Sequence, residues 1–353
     1  MKRRGSIFIL FLWVLLLLSL FAMSVGFRTR LAVKIAGYET KRFGMSQDFL
    51  TAVNLARFFI DSDEEPTIDF KEDTWYGIPK EFSGMDFAKR FELEISDEES
   101  KVDLNKVSPA FLVKFFEVLK RHDIVLKMDP EDLAASIAAW RGMGSMAGKS
   151  AVDLSHKPKP FESVEELRLI KGITQKDVEM LRPFFTVYSS RNSMGIRFNL
   201  NTVHPYILEA LILSLRSIGG ETLKRELFER IERVRQTTQG SDQSERAKHL
   251  FFRQEDLNQD QFLIKLRYSS GNQGPINLLV GELLGYVTTD SQFFSVRVRS
   301  LLPRKESYRM EVVLGDRIFQ RFPGASTVGS ASGAGKAVTT PLEILSWREG
   351  LSS

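Results

Sequence analysis

The sequence predicts an α+β protein: a long N-terminal helix and an antiparallel sheet interrupted by a large inserted α-helical domain. Three observations carry this prediction. A charge-free apolar run, Ser6 to Phe27, leads into residues that keep helical spacing as far as Ile60. A helical region with a visible internal repeat fills residues 101–275. Segments that alternate with period two stand on both sides of it, Phe91 to Ile95 before and three more after. Strands that flank a helical block are expected to share one sheet, with the block inserted between them.

The chain opens Met1-Lys2-Arg3-Arg4-Gly5, and charge returns after Phe27 with Arg28, Arg30 and Lys34. As a helix, the apolar run rises about 33 Å, enough for a bilayer core of about 30 Å. A secretory signal peptide has a shorter apolar core, although Ala22-Met23-Ser24 can pass as its cleavage site. A plain membrane anchor also fits. The short basic leader ending in Gly5, abutting the helix with no spacer, suggests something more specific. If Met1 to Arg4 stay cytoplasmic, the rest of the chain lies outside the inner membrane.

The helical spacing continues through Val33, Ala36, Phe49, Ala52, Val53, Ala56, Phe59 and Ile60, so the apolar helix can run on as an amphipathic stem. Gly37 and Gly44 are candidate kinks or limits, and Asp61 to Pro66 ends it. Within the helical region, Val102-Asp103-Leu104-Asn105-Lys106-Val107-Ser108-Pro109 lines up with Phe198-Asn199-Leu200-Asn201-Thr202-Val203-His204-Pro205. Pro109 and Pro205 suit the first turn of a helix, and the polar residues near Asn105 and Asn201 can cap it. Further helices are expected over Asp132–Trp140, from Phe161 with Ser163 and Glu166 in capping-box spacing, over Gln175–Leu181, and over Gly219–Val234. Gly142 to Pro160 and Gln236 to Gln243 read as loops. Phe294–Val298, Tyr308–Leu314 and Pro341–Trp347 read as strands, with a Gly/Ser/Ala loop from Gly324 to Gly335 between the last two.

Composition narrows the function. The 353 residues are 43% hydrophobic and 27% charged, with a net charge of +4 and no cysteine. Disulfides, thiolate catalysis and cysteine zinc sites are thereby excluded. Acids and bases are interspersed with no basic stripe, so nucleic-acid binding is unlikely. Gly142 to Ser150 ends in Gly-Lys-Ser, but Met143 stands where a phosphate loop needs its first glycine, and Gly329 to Lys336 fails similarly. His122, His156, His204 and His249 share no metal-ligand spacing. Leu169 to Thr174 resembles the turn of a helix-hairpin-helix, but Glu162, Glu165, Glu166, Asp177 and Glu179 around it would repel a phosphate backbone, favouring a packing hairpin. The acids at Asp61–Glu65 and Asp97–Glu99 lack EF-hand spacing and read as solvated loop residues.

Taken together, Arg4-Gly5 before Leu12-Trp13-Val14-Leu15, Val102 to Asn105, Ala139-Trp140-Arg141, Pro160 to Leu167, Lys171-Gly172-Ile173, Asn199 to Thr202 and Ser346 to Glu349 resemble one family in their order. It is the general secretion pathway protein K family, minor pseudopilins of the type II secretion system. The resemblance implies a pseudopilin fold, a long N-terminal helix packed on an antiparallel sheet, with helix-hairpin-helix-like repeats in the inserted domain. It implies a leader at 1–5, a transmembrane and assembly helix at 6–27, a stem and first body segment at 28–100, the inserted domain at 101–275 and closing strands at 276–353. Prepilin peptidase would cut after Gly5, and Ser6 would become the methylated N-terminus, although Ser6 replaces the apolar residue usual there. Leu10 occupies the position where ordinary pseudopilins carry glutamate; protein K subunits lack it too and are placed at the pseudopilus tip.

The implied role is structural and non-enzymatic: initiating the filament and helping export folded proteins across the outer membrane. The implied partners are I- and J-type minor pseudopilins, the major pseudopilin, prepilin peptidase and the inner-membrane assembly platform. Family members can bind calcium. The segment from Gln236 to Pro275 is longer and more polar than the family leads one to expect. Two other readings stand: a membrane-tethered periplasmic protein whose hairpin engages DNA in an uptake machine, and, more distantly, an enzyme using the acidic loops with a metal.

Overall fold

A computed structural model describes residues 4–63, 65–71, 73–79, 81–142, 159–188, 195–216, 220–236, 251–268, 274–301, 307–315, 319–320, 338–339 and 342–352. Helix α1 runs unbroken from Arg4 to Asp61. Gly37 and Gly44 do not end it, since one glycine costs a helix only about 1 kcal/mol against the cooperativity of its neighbours. The chain divides into two compact units, 1–55 and 56–353. In the first, the side chains from Phe8 to Phe27 are exposed. In the second, the last turns of α1 bury Ala56, Phe59 and Ile60.

Strand β1 (Phe91–Asp97) alternates buried and outward residues, with Phe91, Leu93 and Ile95 fully buried. The inserted block follows, beginning with the two-residue strand β2 (Val102–Asp103), helix α2 (Pro109–Arg121) and helix α3 (Pro130–Trp140). A 3-10 segment over Val164–Leu169 leads to α4 (Gln175–Leu181) and β3 (Phe185–Thr186), which pairs parallel with β2. Then come β4 (Phe198–Asn199), α5 (Pro205–Ser214), α6 (Glu221–Gln236), a 3-10 segment at Gln254–Leu257 and α7 (Gln259–Lys265). Helix α8 (Gly274–Leu284) leads to β5 (Val287–Thr288), parallel to β4. The chain then returns to the sheet as β6 (Phe294–Ser300) and β7 (Ser307–Gly315). The short pair β8 (Phe319–Gln320) and β9 (Val338–Thr339) precedes β10 (Glu343–Ser352). The four-stranded antiparallel sheet has the order β1-β6-β7-β10, so the strands before and after the block are neighbours, as the α+β prediction requires.

The expected elements recur with modest shifts in their ends, and two expectations need correction. The segment after Phe161 is a 3-10 helix, and Ser163 makes no side-chain cap. Ile170 turns extended and Gly172 takes φ +96°, so the segment is too short to become an α-helix. The capping box sits one hairpin later: Thr174 Oγ1 accepts from the Asp177 N–H and the Asp177 carboxylate accepts from the Thr174 N–H. The second correction concerns α8, which lies among residues expected to be strands. Ile276, Leu279, Val280, Leu283 and Val287 belong to the helical core, which spans 102–287. The loops expected at 143–158 and 324–335 lie outside the described residues, as does much of the segment after Gln236. What is described of that segment is folded, with Phe252, Phe262, Leu263 and Leu266 buried.

The internal repeat proves much longer than its sequence signal, covering 102–186 and 198–288. In each copy a short strand ends in an asparagine that clamps a distant phenylalanine through both backbone groups. Asn105 Nδ2 donates to the Phe161 C=O at 2.9 Å and its Oδ1 accepts from the Phe161 N–H at 2.7 Å. Asn201 does the same to Phe252, at 2.9 and 2.8 Å. Arg141, following α3, donates to the Val107 carbonyl, and Arg235, near the end of α6, donates to the Val203 carbonyl. Ser108 and His204 cap the matching helices α2 and α5.

Candidate functional site

Two places could carry function: the N-terminal helix and the acidic corner where the helical block joins the sheet. In α1 a window of eighteen residues has a mean hydropathy of 2.7 and none of it is buried, so the helix is long and apolar enough to cross a membrane. Gly5 and Ser6 lie in its first turns, and Leu10 is 67% exposed one turn further on. Were the helix to span a membrane, a carboxylate at Leu10 would stand in lipid, at a cost of a few kcal/mol unless a partner met it.

The second place starts where β1 ends. Asp97, Glu98 and Glu99 were expected to be solvated, and the structure buries all three. Each is retained by hydrogen bonds, as buried carboxyls must be. Asp97 Oδ1 accepts from the Glu99 N–H at 2.7 Å, and its Oδ2 accepts from the Thr202 hydroxyl of the second repeat. Glu98 pairs with Lys101 and accepts from the Thr186 hydroxyl of the first repeat. Glu99 accepts from the Gln292 N–H at 3.0 Å, and its carbonyl takes the Asn199 N–H at 3.1 Å. Asn199 Nδ2 donates to the Asp69 carbonyl at 3.1 Å and to Ser291 Oγ at 2.8 Å, while Asp69 Oδ2 accepts the Ser291 N–H at 2.6 Å. Three consecutive acids thus hold both repeats and the return to the sheet. Nothing in their sequence separates them from surface acids except their place between a strand and the repeat.

Burial pushes the Asp97 carboxyl up to about 6, against hydrogen bonds from Thr202 and Ser291 that pull it down. Glu99 is also raised, by burial first and then by the charges of Asp97, Asp290 and Asp69. The folded protein holds a proton on Asp97 that the unfolded chain gives up near pH 3.8. Stability from this group is therefore complete below about pH 4 and falls as pH rises to about 6. The expected loss over that window is on the order of 3 kcal/mol. Urea denaturation at stepped pH should show it, and Asp97→Asn should flatten the slope between pH 4 and 6. An unchanged slope would show that Asp97 does not titrate in the folded corner.

Further along, Asp63, Asp69 and Asp73 bring carboxylate oxygens within 4.8 Å of one another. Only Asp63 belongs to the acidic run expected from sequence; Asp69 and Asp73 arrive through the turns that follow α1. These are hard oxygen donors of the kind calcium takes, and they are the residues that could hold it. The histidines stay apart from metal geometry among the described residues. His122 stacks on Tyr206 and meets Glu209 at 3.1 Å, whereas His204 Nδ1 caps α5.

At the hairpin, Gly172 has its positive φ, and a Cβ there would sit 2.9 Å from Met128 Sδ. Ile170 beside the turn is buried while Lys171 and Gly172 are exposed, and acids flank it: Asp177 is buried and Glu165 pairs with Arg348 and Arg182. Glu311 of β7 pairs with the same Arg182, tying the hairpin region to the sheet.

Comparisons with known proteins bear on these observations. Residues 92–190 match the family described as type II secretion system (T2SS), protein K. No curated protein matches the chain. A chain of the crystal structure of the GspK-GspI-GspJ complex from the type 2 secretion system of enterotoxigenic Escherichia coli superposes with a TM-score of 0.51 at 14% identity. The superposition covers 92% of this chain and 100% of that one, a likeness of fold. The matched residues hold β1, the acidic corner, the first repeat and its hairpin. The chain is thus similar to the type II secretion system protein K family over residues 92–190, and it shares a fold with the solved chain over nearly its whole length.

Proposed function

We propose that the chain is the tip subunit of a type II secretion pseudopilus, a non-enzymatic part that initiates the filament and helps move folded proteins across the outer membrane. The observation that carries this is the unbroken, apolar, exposed start of α1, preceded by a basic leader, in a chain that bears the protein K family's domain. The leader is 1–5; the helix at 6–27 waits in the bacterial inner membrane with the remaining domains in the periplasm. Prepilin peptidase removes the leader after Gly5, and Ser6 becomes the methylated terminus.

Leu10 supports the tip position. An acid there would neutralise the amine of the next subunit, and a subunit with none ahead of it needs no acid. The helical block, extending over 102–287, is large enough to obstruct addition beyond it. I- and J-type minor pseudopilins are the direct partners, in line with the complex whose fold this chain shares, and the major pseudopilin and assembly platform complete the set. The acids that flank the hairpin, Glu165 and Asp177 among them, speak against the DNA-uptake reading.

The experiment is co-expression with prepilin peptidase. The chain is expected to lose its first five residues and gain one methyl group by intact mass, and Gly5→Ala is expected to stay full length and to abolish secretion. A chain that keeps its leader, or a Gly5→Ala variant that still loses it, would remove the basis of the reading.

A further inference from the structure

Positive charge in the first unit gathers where the apolar part of α1 ends. From Met1 to Tyr38 the chain holds Lys2, Arg3, Arg4, Arg28, Arg30 and Lys34 and no aspartate or glutamate. Arg28, Arg30 and Lys34 are exposed, and none is in an ion pair among the described residues. The next acid along the helix, Glu39, stands about 140° round it from Lys34, outside the three- and four-residue spacings at which side chains meet. The cation at such a spacing from Glu39 is Arg42. The three cations beside the apolar run are therefore left without a neutralising acid on their helix.

Helix geometry sets the depth of these cations. At about 1.5 Å per residue, Arg28, Arg30 and Lys34 lie roughly 2, 5 and 11 Å beyond Phe27, where the apolar run stops. The headgroup layer of a bilayer is roughly 5–8 Å deep on each side of its core. Cα–Cβ bonds tilt toward the N-terminus of a helix, so long side chains here lean back toward the apolar run and reach that layer even from Lys34. Arg28 and Arg30 leave the axis about 160° apart, so the helix is charged on opposite sides at this level. Because α1 is unbroken here, all three cations ride on one rod.

We propose that Arg28, Arg30 and Lys34 bind the headgroups of anionic phospholipids in the periplasmic leaflet and gather such lipids around α1. The inference rests on the reading that α1 crosses the membrane with the body of the chain outside. Arginine takes phosphate oxygens in pairs and lysine meets them as a point charge. A zwitterionic lipid carries its own cation beside the phosphate and gains less. The attraction fades within a Debye length, about 8 Å at physiological salt. Lys41 and Arg42, more than about 20 Å beyond Phe27, therefore contribute little.

The test uses the full chain with the photo-cross-linker p-benzoylphenylalanine in place of Leu31, which is exposed among the three cations. The chain is reconstituted in vesicles of equal parts phosphatidylglycerol and phosphatidylcholine, and flotation after an alkaline carbonate wash checks the membrane anchor by itself. Illumination with one lipid tritiated, then the other, is expected to label the chain about fivefold more with phosphatidylglycerol. Arg28→Gln with Arg30→Gln and Lys34→Gln should bring the ratio close to one, as should salt at about 1 M. Lys41→Gln with Arg42→Gln should leave the ratio unchanged. Equal labelling by the two lipids, or a preference that survives the triple substitution, would overturn the proposal while the anchor stands. Cross-links to a second copy of the chain in place of lipid would overturn it as well. A chain that washes off the vesicles overturns the anchor and the proposal together.

Discussion

Asn199→Leu is expected to cost the body about 3–5 kcal/mol, among the largest single-residue effects in the chain. Asn199 is fully buried, and leucine fills a similar volume, so packing is roughly conserved. What is lost is three hydrogen bonds at once: to the Asp69 carbonyl, to Ser291 Oγ and from the Asn201 N–H. Each orphaned group is left without water, at about 1–3 kcal/mol apiece, with partial relaxation. Urea denaturation of the full chain followed by fluorescence of the buried Trp75 and Trp140 reads the loss. Asn199→Asp makes a sharper control. It keeps the acceptor but adds a charge beside Asp69, Asp97 and Glu99, so its destabilisation should shrink as pH falls below about 4. A loss under about 1 kcal/mol for Asn199→Leu would show that the acidic corner does not hold the block in place.

The first repeat explains why this residue is an amide. Its counterpart, Asp103, plays the same local part, accepting the Asn105 N–H at 2.7 Å. There the nearby charge is the Arg141 guanidinium, whose field Asp103 feels, so a carboxylate is favoured. In the second copy the surroundings are acidic, and a donor is required.

Phe115→Ala is expected to cost about 3–5 kcal/mol, for a different reason. Its ring is fully buried on α2 and meets Phe116, Phe184 and Phe185 at centroid distances of 5.7, 5.7 and 5.6 Å. Phe184 and Phe185 lie where α4 hands over to β3, so the ring joins the start of the repeat to its end. Truncation leaves a cavity that helices packed on both sides cannot collapse. Thermal unfolding by circular dichroism should drop markedly, and Phe115→Leu should recover most of it. A small loss would mean that neighbouring rings close the gap.

Much of this architecture could be read from residues. The apolar run, the alternation of β1, β6 and β7, and the Leu-Asn-x-Val-x-Pro core of the repeat each have a period or a proline to betray them. The rest lacked such a signal. Strands β2 to β5 are two residues long, too short for alternation to register. The 3-10 segments have no amphipathic period of their own, so the repeat seemed to end where its helices began to differ. Asp97, Glu98 and Glu99 carry the composition of a solvated loop, and only the Thr186 and Thr202 hydroxyls, distant in sequence, show that they are a joint. The roles proposed for Gly5, Ser6 and Leu10 rest instead on linear order along one helix.

The sheet order also has a consequence for the nascent chain. Asp97 of β1 pairs with Phe294 of β6, so a strand synthesised early must wait for one made almost two hundred residues later. Closing so long a loop from a random coil is entropically slow. If the intervening block folds first, it brings its own ends together, and the closure left to make is short. Exposed β1, meanwhile, offers an edge to any other unfinished chain nearby. Productive biogenesis therefore hinges on the helical block outpacing aggregation, and slow folders in the repeats should fail by precipitation before any filament is attempted.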